Sequence, residues 1–128
     1  MQPAVEAEVL RTIALYCQTV DDGRFEEFAG CWTLDAELRS GDDVVQGREA
    51  IRAWMERAQP PQRRGTHVTV NTVVDVLGPT EANAASDFLF LSRTGGTPTI
   101  SVTGRYLDRF APVDGRWLFA SREIVLRR

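Results

Sequence analysis

From Thr66 onward the chain reads in twos. Four long segments, 66–77, 80–93, 98–110 and 116–126, follow one another, and Gly78-Pro79, Gly95-Gly96 and Asp114-Gly115 mark the turns between them. A period of two is the period of a strand, and short turns of this composition join neighbouring strands antiparallel. A run of hairpin-linked strands must cover its apolar face with something. The first half of the chain supplies it. Val5, Val9, Ile13, Tyr16, Cys17 and Val20 recur at steps of three and four, the stripe of an amphipathic helix over 4–20. Gly23 is placed to stop that helix in the left-handed conformation, and Asp22 to cap a second one that buries Phe25, Phe28 and Trp32. DAELRSGDDVVQG reads as a short hairpin turning at 41–43. A third helix over 48–58 turns Ile51, Trp54, Met55 and Ala58 inward and ends at Pro60-Pro61. Helices first and strands afterwards predict an α+β domain.

Alternation then sorts polar residues onto faces. In the first long strand His67, Thr69, Asn71, Val73 and Asp75 share one side, and Val68, Val70, Thr72, Val74 and Val76 the other. In the second, Asp87 lies among residues that are apolar on both sides, which predicts a buried carboxylate in need of a partner. Asp21 sits at the end of the first helix, where the helix dipole disfavours its charge. His67 is the only histidine, and imidazole is the side chain suited to exchanging protons near neutral pH. A carboxylate beside it would fix its tautomer, giving an acid–base pair. Nothing local in the sequence brings Asp21 and His67 together.

Composition removes other classes of function. With 43% apolar and 26% charged residues and a net charge of −3, the chain is that of a folded globular domain, with no basic cluster to neutralise nucleic-acid phosphates. No apolar run reaches membrane-span length, and MQPAVEAEVLRT has acid where a signal peptide needs base; both point to a cytoplasmic protein. Cys17 and Cys31 are expected as free thiols, with neither spaced for a metal. The absence of lysine rules out Schiff-base catalysis, and no glycine-rich nucleotide fingerprint is present. No metal and no cofactor are expected. Arg105 and Arg122, on late strands, are expected in surface or interface ion pairs.

The stretches YCQTVDDGRFEEFAGCWTLDAEL, GREAIRAWM, RGTHVTVNTVVDV and TGRYLDRFAPVDGRWLFASREIVL together resemble the SnoaL-like branch of the nuclear-transport-factor-2-like (NTF2-like) superfamily. The resemblance covers nearly the whole chain. It implies one domain, 1–128, in which a curved mixed sheet forms a cone wrapped by three N-terminal helices around an internal pocket. Scytalone dehydratase, bile-acid dehydratase, ketosteroid isomerase, limonene epoxide hydrolase and polyketide cyclases share that plan. The dehydratase-like group matches best in motif. There an Asp closing the first helix orients a His early in the first long strand, which corresponds to Asp21 and His67. Asp87, in ASDFLFL, occupies the position of that group's second catalytic histidine, a departure from its pattern. The resemblance makes Asp21, His67 and Asp87 the catalytic candidates, and Tyr16, Asn71, Tyr106 and Trp54 the substrate-binding ones. It implies a polyketide-, steroid- or terpenoid-like hydrophobic substrate, dehydrated, isomerised or cyclised, and a homo-oligomer (dimer or trimer). The alternative is a binding or accessory subunit like the small subunit of ring-hydroxylating dioxygenases. Co-purification with a larger chain would distinguish it.

Overall fold

A computed structural model describes residues 2–127. Helix α1 (Gln2–Asp21) is joined by a tight turn at 22–24 to the short helix α2 (Phe25–Ala29). Strands β1 (Trp32–Ser40) and β2 (Asp43–Gln46) form the expected hairpin, and helix α3 (Arg48–Ala58) follows. Four long strands complete the chain: β3 (Thr66–Gly78), β4 (Glu81–Ser92), β5 (Thr99–Val113) and β6 (Arg116–Arg127). They form one six-stranded sheet in the order β2-β1-β6-β5-β4-β3. All neighbours are antiparallel except β1 and β6, which are parallel, so the sheet is mixed as the resemblance implied.

Two local expectations change. Helix α2 ends at Ala29, and Trp32 begins β1, fully buried there. The break follows from Gly30, whose N–H closes the helix onto the Glu26 carbonyl at 3.3 Å. Asp22 does not cap α2. Gly23 takes φ +71, which moves the cap position to Arg24, and the Asp22 carboxylate meets that guanidinium at 3.4 Å.

The helices close over one face of the sheet. From α1, Val9, Ile13, Tyr16, Cys17 and Val20 are buried, and they meet Ala82, Ala84 and Phe88 of β4 and Tyr106 and Phe110 of β5 in one core. The stripe read in the sequence is thus the packed face. In β4 the alternation holds over its buried half: Ala82, Ala84, Ser86 and Phe88 point in and Asn83, Ala85 and Asp87 point out. In β3 the alternation breaks. Val70 pairs with Asp87, but the next pair is Val73 with Ala85, so β3 carries one extra residue. Asn71, at φ 55, is at the bulge. Before it His67 faces inward; after it Thr72 does, its hydroxyl 2.9 Å from that of Ser86, and Val74 packs against the core.

Gly65 sets where β3 begins. A Cβ there would collide with the Leu91 carbonyl and stand 2.8 Å from the Phe90 ring. Gly65→Ala must therefore displace the start of β3. We expect a destabilisation of about 1–3 kcal/mol, typical of overpacking, measured by urea unfolding.

Candidate active site

Asp21 is the last residue of α1. The chain turns sharply after it: Asp22 N–H donates to Gln18 O (3.0 Å), Gly23 N–H to Val20 O (3.1 Å) and Arg24 N–H to Thr19 O (2.8 Å). This closure satisfies the last carbonyls of the helix and leaves the Asp21 carboxylate at its electronegative end. The second residue of β3 supplies what offsets that. His67 backbone N–H donates to Asp21 Oδ2 at 2.9 Å and reaches Oδ1 at 3.2 Å, and His67 Nδ1 lies 2.6 Å from Oδ1. The two candidates that the sequence left far apart are in contact through both main chain and side chain.

A carboxylate only accepts, so Nδ1 carries the proton and donates it to Asp21. Nε2 is left as the basic nitrogen. The side chains are 10% and 12% exposed, enough to touch solvent at the rim of the concave face. The imidazole is walled by Phe90, with ring centroids 4.7 Å apart, and by Tyr16, met edge-on at 6.4 Å. Apolar walls keep competing water from the base and strengthen every charge interaction beside it.

Tyr16 and Tyr106 both lie inside the cone and are essentially unexposed. Burial pushes the Tyr16 phenol up to about 12, partly opposed by the nearby Arg122 guanidinium, so it is a neutral hydroxyl at physiological pH. Burial raises Tyr106 as well. Cys17 and Cys31 are free, and burial raises both thiols, Cys31 to about 11, which keeps them protonated.

The remaining candidates are elsewhere. Asp87 is on the outer, convex face of the sheet, not in a buried setting. It accepts from Asn71 Nδ2 at 3.0 Å and Arg105 Nε at 2.8 Å. The reason is the parity of β4 together with the bulge in β3, which carries Asn71 outward to meet it. Asn71 is accordingly exposed and does not face the interior. Trp54, on α3, is half-buried against the edge of the core, and its Nε1 donates to Asp43 Oδ2 at 3.4 Å at the start of β2. Arg105 does make the outer-face ion pair expected of it.

The Asp87 cluster has a pH signature of its own. Hydrogen bonds from Asn71 and Arg105 hold its carboxyl below the ordinary 3.8. A depressed folded value means a contribution present above the ordinary value and lost as the pH falls through the lower one. Asp87→Asn should therefore be less stable than the parent at neutral pH, and the difference should fade as the pH drops through the lowered Asp87 value. Urea midpoints at a series of pH values check this.

Arg122 contradicts the surface expectation most sharply. It is 1% exposed and lies inside the cone. Its Nε and Nη2 donate to Asp108 Oδ1 and Oδ2 at 2.7 and 2.8 Å, a two-pronged pair with both side chains wholly buried. Its Cζ lies 3.6 Å from the Tyr106 ring centroid, 4.2 Å from Tyr16 and 4.5 Å from Phe119. Phe88 stacks on Tyr106 at 4.2 Å and 7°. Asp108 holds the guanidinium still more firmly protonated than usual. Arg122 Nη1 is buried with no acceptor among the described residues. A signal for Asp108 was present: it alternates with Tyr106 and Phe110 on the inner face. The extra residue in β6 between Phe119 and Ser121 hides the same signal for Arg122.

No cluster of three or more potential metal ligands occurs among the described residues. No described helix is long and apolar enough to cross a membrane. A groove of about 560 Å³ between α1, α2 and the β5–β6 turn is lined by Glu8, Arg11, Leu15, Thr19 and Arg116 among others, and includes neither Asp21 nor His67.

A cone of mixed sheet under three helices, with a polar pair at its rim, defines the NTF2-like class of α+β folds. A family model for the SnoaL-like domain matches residues 4–123, and the chain belongs to that family. Rv3472 of Mycobacterium tuberculosis, a protein of unknown function, is 30% identical with a TM-score of 0.88, over 95% of this chain and 71% of its own. A provisionally named scytalone dehydratase from Novosphingobium aromaticivorans is 26% identical with a TM-score of 0.86, over 100% of this chain and 89% of its own. An NTF2-like protein with a cystatin-like fold from the same organism, 24% identical over 95% of this chain and 81% of its own, has a TM-score of 0.86 and speaks to the fold alone. No functionally curated protein matches.

Proposed function

We propose that the chain is a cofactor-independent enzyme that moves protons on a hydrophobic small molecule, with Asp21 and His67 as its acid–base pair. The observation that carries this reading is the 2.6 Å contact between Asp21 Oδ1 and His67 Nδ1, reinforced by the His67 main-chain bond to the same carboxylate. His67 Nε2 takes a proton from a carbon next to a carbonyl. The electron pair moves into an enolate, and Asp21 stabilises the imidazolium. We assign the neutral Tyr16 hydroxyl, on the concave face, as the donor for the developing oxyanion. Loss of a β-hydroxyl as water, shift of a double bond or ring closure can each follow, with His67 returning the proton. The aromatic lining suits a flat, polyketide-, steroid- or terpenoid-like compound.

The test is deuterium exchange. Wild type is incubated in heavy water with aromatic ketones and β-hydroxyketones, and label at the α-carbon is followed by NMR. Exchange by wild type that is absent in His67→Gln supports the reading. No exchange across the panel, or exchange that survives His67→Gln, removes it.

We further infer a homo-oligomer built on the convex face. Val73 is 60% exposed there, Leu107 43% and Val125 41%, beside the Asp87–Arg105 pair. Light scattering should give a mass above that of one chain, and Leu107→Asp should lower it.

A further inference from the structure

The groove of about 560 Å³ beside α1 takes no part in the proton-transfer reading, and it is lined by two arginines from distant parts of the chain. Glu8, Arg11, Leu15 and Thr19 stand at steps of three and four along α1, so they share one stripe of the helix. Arg116, the first residue of β6, lines the groove from the sheet, and Gly30 and Cys31 line it from the link between α2 and β1. The core fixes these elements against one another. The Thr12 hydroxyl donates to the Trp117 carbonyl, a buried bond between the immediate neighbours of Arg11 and Arg116. Phe119 N–H donates to the Cys31 carbonyl at 2.8 Å, which ties the same strand to the α2–β1 link. The fold thus holds the walls in place, while both arginines stay exposed.

The chain carries a net charge of −3, yet free positive charge is in excess here. Glu27 lines the groove, but Arg24 occupies its carboxylate at 2.7 Å. Neither Arg11 nor Arg116 belongs to an ion pair among the described residues. Two free guanidinium groups therefore face one unpaired carboxylate, that of Glu8. Their field reaches the Cys31 thiol: burial pushes it up to about 11, and Arg116 is the strongest influence opposing that rise. A guanidinium presents a planar fork of donors that matches the two oxygens of a carboxylate or phosphate. The volume is that of a site for an organic ligand, far larger than an inorganic phosphate ion, and Leu15 gives it an apolar side. We propose that this groove binds a small organic acid, its carboxylate or phosphate held by Arg11 and Arg116 and its carbon body lying along α1 against Leu15. The site includes neither Asp21 nor His67 and stands independently of the proton-transfer reading.

Four probes test it on the whole chain: phenyl phosphate, benzoate, inorganic phosphate and benzylamine. Calorimetry gives the affinity, and NMR of backbone amides and arginine Nε–H groups gives the place. Phenyl phosphate or benzoate should bind with a Kd below about 1 mM and shift the Arg11 and Arg116 Nε–H signals together with the Gly30 and Cys31 amides. Arg11→Gln and Arg116→Gln should each weaken that binding by about tenfold. Glu8→Gln should tighten it, because the one opposing charge is gone, and a variant that had merely lost its fold could not do so. Arg52→Gln, on α3 and paired with Glu56, should bind as the parent does. Failure of both acids to saturate below about 10 mM would overturn the proposal. So would inorganic phosphate or benzylamine binding as tightly as the better acid, since the groove would then not select an organic anion. Affinity indifferent to the Arg11 and Arg116 variants, or shifts centred on His67 in place of the groove, would overturn it as well.

Discussion

Asp21→Asn is expected to lower the rate of α-proton exchange by about 10²–10⁴-fold, the range in which oriented acid–base groups act. The amide keeps the size of the carboxylate, and its oxygen can still accept the His67 main-chain N–H. What changes is the group that faces the ring. If the amide oxygen stays on the main chain, its NH₂ turns to His67 Nδ1 and makes that nitrogen an acceptor. The ring proton then moves to Nε2, the atom that must be basic. The variant also loses the negative charge that stabilises the imidazolium. Because the substrate's apolar contacts are untouched, the loss should fall on kcat with KM little changed. A thermal melt close to that of wild type would show that the pair serves chemistry more than folding. An exchange rate within a few-fold of wild type would count against the pair.

The second large effect is on stability. Asp108→Leu alone removes the partner of a fully buried guanidinium, since Arg122 and Asp108 side chains are both 0% exposed. Breaking a buried pair from one side costs about 3–5 kcal/mol, because the surviving charge is left desolvated. For a domain of this size that lowers the melting temperature by roughly 10–20 °C. Exchanging both members for Met and Leu should return most or all of that stability, because neither charge then has to leave water. The stacking of Arg122 on Tyr106, Tyr16 and Phe119 recovers part of its desolvation in the wild type, which bears on how fully the apolar pair can match it. Calorimetry on the single and double variants separates the two cases. A double variant as unstable as the single one would mean that the pair stabilises the fold outright.

How far the sequence could be read followed the regularity of its periods. The α1 stripe from Val9 to Val20 and the inner face of β4 from Ala82 to Phe88 kept their period and are the packed faces in the structure. The sequence assigned Asn71 to the wrong face for one reason: a bulge inserts a residue without any mark in the alternation, and everything after it changes side. Arg122 was expected in a surface or interface ion pair as an arginine on a late strand, and its burial against Asp108 is a tertiary pairing that residue type does not show. Asp87 was assigned to a buried setting because its neighbours are apolar on both faces. The convex face of this sheet is itself apolar, so hydrophobicity could not tell inside from outside. The contact of Asp21 with His67 was not legible from the residues at all. It depends on β3 passing the end of α1, a tertiary relation, and only the family resemblance suggested it.

The order of the sheet, β2-β1-β6-β5-β4-β3, places β6 at its centre although it is the last described strand in the chain. During synthesis β1 leaves the ribosome early, with an open edge and no partner but β2. The β3–β4–β5 meander can assemble behind it as a separate ribbon. Neither half is joined to the other until Arg116–Arg127 arrives and bonds to β1 on one side and β5 on the other. Completion of the sheet therefore waits for β6 to emerge, and the long-range closure of β1 on β6 belongs to the slow, non-local kind of pairing. A ribosome stalled before β6 would hold two unfinished sheets with exposed edges, a species for which aggregation competes directly with completion.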